Sequence, residues 1–190
     1  MAKPTYKVWV VNSVPLGTRV NDPDGNGYYF DWDQNKLDST VAELKSLFDE
    51  VCKHVMSKFD GTDVDAGKDI NTVGTLIKPG DLVLRLTTKR NSILIQKYGK
   101  NAVTNDASGA TKDTGSGIVS EAWIDGCAGS PTVPELAARL AFHELMHNKL
   151  DASNSSKDIH NKPTDGTGLA VSPVAYNTSL TETNKRNFAP

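Results

Sequence analysis

The 190-residue chain predicts an α+β fold: a mixed, twisted sheet with a long backing helix, a central apolar helix and a short C-terminal subdomain. Three observations predict it. Short runs rich in β-branched and aromatic residues recur before residue 125, and one long segment repeats apolar residues at helical spacing. The third is the run LAARLAFHELMHNKL, which is apolar on nearly every face and so reads as a helix passing through the interior. Hydrophobic residues make up 37% of the chain and charged residues 23%, enough apolar material for one core of ordinary size. Residues 1–150 are therefore expected to form the main subdomain, ending in the apolar helix, and residues 151–190 the short one.

The elements follow in order. TYKVWVV, Thr5 to Val11, reads as a strand. Leu37, Val41, Leu44, Phe48, Val51, Val55 and Phe59 follow one another at steps of four and three, which predicts a long amphipathic helix, with Thr40 and Glu43 as a capping box near its start. DLVLRLTT (Asp81 to Thr88), NSILIQ (Asn91 to Gln96) and GIVSEAWID (Gly117 to Asp125) read as further strands. The small and polar residues between Asn101 and Gly117 read as an exposed loop or irregular hairpin. Thr132 and Glu135 suggest a capping box for the apolar helix, and Pro134 fits its first turn. Beyond Leu150 the composition is that of a loop, with a short helix expected near Leu180 to Phe188.

Composition excludes some classes of partner. With 21 Lys and Arg against 23 Asp and Glu the formal charge is −2, which gives no electrostatic reason to expect nucleic acid or an anionic membrane. No apolar run approaches the roughly 20 residues of a membrane span. The start, MAKPTYKVWVVNSVP, has no secretory h-region, so a cytoplasmic monomer is expected as synthesised, with non-classical export left open. Cys52 and Cys127 lack CxxC spacing and are expected as buried thiols rather than a disulfide.

His143-Glu144-Leu145-Met146-His147 matches HExxH. On a helix, residues four apart share a face, so both imidazoles can converge on one zinc ion (Zn2+) while Glu144 sits beside its open position. That arrangement suits a zinc-activated water with Glu144 as general base. Two histidines and a glutamate in an apolar helix would be costly to bury without partners, and a metal satisfies both imidazoles at once.

With this motif the chain resembles the zincin metallopeptidases. In that clan a strand, a long backing helix, further strands of a mixed sheet and the HExxH helix follow in the order read here, roughly over residues 5 to 165. The resemblance implies that the last strand, Gly117 to Asp125, is an antiparallel edge that aligns substrate. Lys149 stands where the family usually has an apolar residue. The chain is atypical in its third ligand. It has Leu150 and Ser153 where a metzincin has Gly and the third His, and no methionine after Met146 for a Met-turn. The one later glutamate, Glu182, fits no gluzincin pattern, and Asp165-Gly166-Thr167-Gly168 is only a partial likeness to the aspzincin segment. His160, the one histidine downstream of the helix, is the expected third ligand, with Asp165 and Asp158 as alternatives. Asp151 lies too far along the helix axis to be one. Gly166 to Ala170 is expected to supply the turn beneath the metal, and Tyr176 to stabilise the developing oxyanion.

A second ion site is suggested by Asp22-Pro23-Asp24-Gly25-Asn26-Gly27 followed by Asp33, which fits the EF-hand template for calcium (Ca2+) at Asp22, Asp24, Asn26 and Asp33. No helix precedes it and Pro23 is unusual there, so a plain turn is the favoured alternative. The expected function is zinc-dependent hydrolysis of a peptide bond in a peptide or protein substrate. The alternatives are a non-catalytic module stapled by metal, and a peptidoglycan endopeptidase or effector using the same site.

Overall fold

The computed structural model describes residues 5–60, 77–78, 80–99, 108–113, 118–149, 169 and 174–186. Its first element is β1 (Thr5–Asn12), an inner strand of the sheet, whose alternation sends the fully buried Val8 and Val10 to one face and Trp9 and Val11 to the other. A two-stranded antiparallel hairpin follows, β2 (Thr18–Asn21) with β3 (Tyr29–Trp32). It is tied back to β1 by the buried Trp32, whose Nε1 donates to Asn12 Oδ1 at 3.0 Å.

Helix α1 (Gln34–Val51) starts at Asp33, whose Oδ1 accepts the Lys36 N–H at 2.8 Å. This corrects the expected Thr40 and Glu43 capping box. Thr40 lies inside the helix, where its hydroxyl donates to the Lys36 carbonyl. The helix also ends earlier than Phe59. Cys52 is extended, and β4 (Lys53–Asp60) pairs with β1 in parallel along its whole length. Val55 and Phe59 continue the spacing of three and four only by coincidence. In the strand they share the face away from α1, where Phe59 stacks on Trp9 with ring centroids 5.0 Å apart.

Strand β5 (Leu82–Thr87) is buried throughout and lies beside β1. A 3₁₀ turn (Lys89–Asn91) leads into a short helix, α2 (Ile93–Tyr98), where a strand was expected. The Ser92 hydroxyl caps this helix by accepting Ile95 N–H at 3.0 Å, and the buried Glu121 carboxylate accepts Ile93 N–H at 3.0 Å. Glu121 also pairs with the buried Arg85 at 3.1 Å and accepts from Trp123 Nε1 and the Ser92 hydroxyl. One carboxylate thus joins β5, β7 and α2.

The expected loop between Asn101 and Gly117 contains β6 (Gly109–Asp113), which pairs antiparallel with β7 (Ile118–Trp123). The sheet order is β4-β1-β5-β7-β6, parallel except for β6. The antiparallel edge is therefore β6, and β7, expected at the edge, lies between β5 and β6. A second 3₁₀ turn (Ile124–Cys127) follows β7.

Helix α3 (Val133–Lys149) crosses β5, β7 and β6 on the same face of the sheet that α1 covers, and the two helices meet through Phe48 and Phe142, 5.2 Å apart in edge contact. The expected Thr132 and Glu135 box does not form: among the described residues neither Thr132 Oγ1 nor Glu135 Oε2 has a hydrogen-bond partner, and Thr132 N–H goes instead to Ser130 Oγ. A short helix α4 (Glu182–Arg186) falls inside the expected C-terminal one. Cys52 and Cys127 are buried thiols that form no disulfide. Among the described residues no helix is long and apolar enough to cross a membrane.

Candidate metal and peptide site

HELMH lies in the last turns of α3, where Leu145 and Met146 are fully buried in the core and turn the other face of the helix toward β6 and β7. The His143 and His147 rings have centroids 5.0 Å apart at 79°, as the one-turn spacing requires. His143 is buried, and its Nδ1 lies 2.6 Å from the Leu169 carbonyl oxygen. A carbonyl only accepts, so Nδ1 carries the proton and the lone pair of the neutral ring is on Nε2. This is the form in which an imidazole ligates a metal, with its second nitrogen held by an acceptor. The two side chains therefore fit a zinc ion in donor type and spacing, and His143 fits it in tautomer as well.

Glu144 is held from the strand side. Thr111 Oγ1 on β6 lies 2.8 Å from Glu144 Oε2, and Ser120 Oγ on β7 donates to the Glu144 carbonyl at 3.0 Å while receiving Asn148 Nδ2–H at 3.2 Å. Gly109 leaves room for the carboxylate. A Cβ there would stand 2.7 Å from Glu144 Oε1, 2.8 Å from its Cγ and 2.6 Å from the Glu121 carbonyl oxygen. Burial pushes the Glu144 carboxyl up to about 8; the Thr111 hydrogen bond lowers it, and the Glu121 charge adds to the rise.

The carboxylate lies against the face of β6 at Gly109 and Thr111. Trp123 N–H donates to Ser108 O at 2.9 Å, and that pair extends the register Gly109↔Ala122 by one residue. Hydrogen-bonded pairs alternate along an antiparallel ladder, so Ala110 and Lys112 bond to β7 while Gly109 and Thr111 turn their N–H and C=O groups outward. Among the described residues β6 ends the sheet, and these outward groups face no further strand.

Other expected site residues are placed differently. His160, Asp158, Asp165 and Asp151 lie outside the described residues, and among the described residues no three His, Cys, Asp or Glu side chains converge as a metal-binding group. Of the segment Gly166 to Ala170, Leu169 is described; it is buried and supplies the carbonyl under His143. Tyr176 is 38% exposed, in a turn closed by Thr178 N–H on Ala175 O. Thr178 O accepts from Arg139 Nε at 3.0 Å, one helical turn before His143, but no hydrogen bond joins Tyr176 to Glu144 or either histidine. The fourth histidine, His54, pairs with Asp49.

Of the residues considered for calcium, Asp22, Asp24 and Asn26 lie together and Asp33 does not. Asp22, in the hairpin loop, accepts the Asp24 and Asn26 N–H groups, which hold its carboxyl below the usual range. Asp33 stands at the opposite end of the hairpin, capping α1 and paired with Lys36 at 2.8 Å. Asp22, Asp24, Asn26 and the exposed Tyr28 line a cavity of about 330 Å³ with Lys89, Trp123 and Asp125.

Gly109, Thr111 and Ser120 escaped the sequence reading of the site because they reach the motif only through tertiary contact, whereas Leu169 falls in the segment expected beneath the metal. The chain matches no protein-family model, no curated protein and no solved structure with which it was compared.

Proposed function

We propose that this chain is a zinc-dependent metallopeptidase of the zincin type, with His143, His147 and His160 as ligands and Glu144 as general base. One observation carries the reading: α3 bears two imidazoles one helical turn apart, one of them held by the Leu169 carbonyl with Nε2 left to ligate, and between them in sequence a buried carboxylate hydrogen-bonded to Thr111 on the antiparallel strand β6. The chain order of strand β1, helix α1, parallel strands β4 and β5, antiparallel edge β6, parallel strand β7 and HExxH helix supports it too, although the resemblance puts the antiparallel edge at β7.

When bound, zinc supplies a Lewis acid that lowers the pKa of a water and polarises a carbonyl. The chain's own residues do the rest. Gly109 and Thr111 hold an extended polypeptide by backbone pairing, with a scissile bond over Glu144. Glu144 accepts the proton of the attacking water and passes it to the departing amine, and the Thr111 hydroxyl keeps the carboxylate aimed through both transfers. Tyr176 is the proposed donor to the developing oxyanion.

The test is hydrolysis of unfolded proteins and muropeptides by the zinc-loaded chain and by Glu144→Gln. The parent cleaves, and the variant keeps its zinc and fold while losing about 10²-fold or more in kcat. Equal rates in the two, or no cleavage by the parent, overturns the reading in favour of a module that metal only staples.

A further inference from the structure

Asn184 is fully buried on α4, far along the chain from the HELMH helix. Its Oδ1 accepts two backbone N–H groups, from Thr181 at 3.1 Å and from Leu169 at 2.8 Å. The first, with Asn184 N–H on Thr181 Oγ1 at 3.3 Å, is a capping box that begins α4. The second has no role in that helix. It fixes Leu169, whose own carbonyl lies 2.6 Å from His143 Nδ1 and whose side chain is buried in the same core as Phe142, Leu145 and Met146.

We propose that Asn184 is a positioning residue for the metal site: through the Leu169 backbone it fixes the tautomer and orientation of His143. The proposal rests on the zinc reading above. The nitrogen that bears the proton in a neutral imidazole is set by the hydrogen bond its partner nitrogen makes, and outer partners of this kind support metal affinity by about 10–100-fold. Without the Asn184 acceptor the Leu169 N–H would be buried and unsatisfied, and the carbonyl on the same residue would lose its fixed aim at His143. The C-terminal segment thus completes a site whose motif lies some 40 residues earlier.

The experiment measures zinc affinity by chelator competition, and the His143 tautomer by long-range ¹H–¹⁵N correlation on the zinc-free protein. Asn184→Ala is compared with Asn184→Asp, which keeps the acceptor, and with Thr181→Ala, which removes the cap alone. The wild type and Asn184→Asp bind zinc tightly and carry the His143 proton on Nδ1. Asn184→Ala binds about 10–100-fold more weakly and shows mixed tautomers. Thr181→Ala stays near the wild type. Should Asn184→Ala fail to fold, Asn184→Ser, too short to reach Leu169, takes its place. Wild-type affinity and tautomer in the Ala or Ser variant overturn the proposal, as does equal weakening by Thr181→Ala, which would mark Asn184 as a helix cap only. A wild type that binds no zinc sinks the zinc reading itself, and the ligand role of His143 with it.

Discussion

Glu144 concentrates the electrostatic cost of the site. Its ordinary value is 4.5, and burial carries it to about 8, so the metal-free native state keeps a proton there that the unfolded chain gives up near 4.5. Where the native state binds more protons, stability falls as pH rises, at up to about 1.4 kcal/mol per pH unit for one group. The metal-free protein should accordingly lose stability between about pH 5 and pH 8. Glu144→Gln removes the titrating group, and its denaturant-unfolding curve should be flatter across that window. A variant whose pH profile parallels the parent's contradicts this account of Glu144. On the proposed function the same burial would keep Glu144 basic while a cation beside it favours the carboxylate.

The meeting of α3 with β6 is where element and site coincide. Gly109→Ala places a methyl within 2.7 Å of Glu144 Oε1 and 2.6 Å of the Glu121 carbonyl, so either the edge strand or the carboxylate must move. The expected result is a stability loss of about 1–3 kcal/mol in thermal or denaturant unfolding, with hydrolysis falling further than zinc binding does. Undiminished turnover would show that β6 does not pass over the reacting groups. β6 itself was hidden in the sequence because its residues, Gly-Ala-Thr-Lys-Asp, carry turn composition, and what makes them a strand is pairing with β7. α2 was hidden for the opposite reason. Its Ile-Leu-Ile run reads as a strand, but Ser92 and Glu121 satisfy its first N–H groups and draw it into a helix. The end of α1 was blurred because Val55 and Phe59 on β4 keep a helical interval from Val51.

In the molecule as a whole, HELMH was legible because the geometry that joins two histidines and a glutamate is local to one helix. A mixed sheet with helices was legible as well, since the apolar patterns of β1, β5, β7 and most of α1 are long. The groups that aim the motif were not. Thr111, Gly109 and Ser120 come from the sheet, and Leu169 and Asn184 from beyond the helix, each brought in by the fold. Such residues look like ordinary surface or loop residues until the chain is folded. All of them contact or support one stretch of α3, with its two imidazoles and buried carboxylate, where zinc is proposed to bind. The most direct measurement is the zinc content and affinity of the purified chain beside His147→Ala. One zinc per chain, lost from a variant that stays folded, is the predicted result. Equal zinc content and affinity in the two would contradict it.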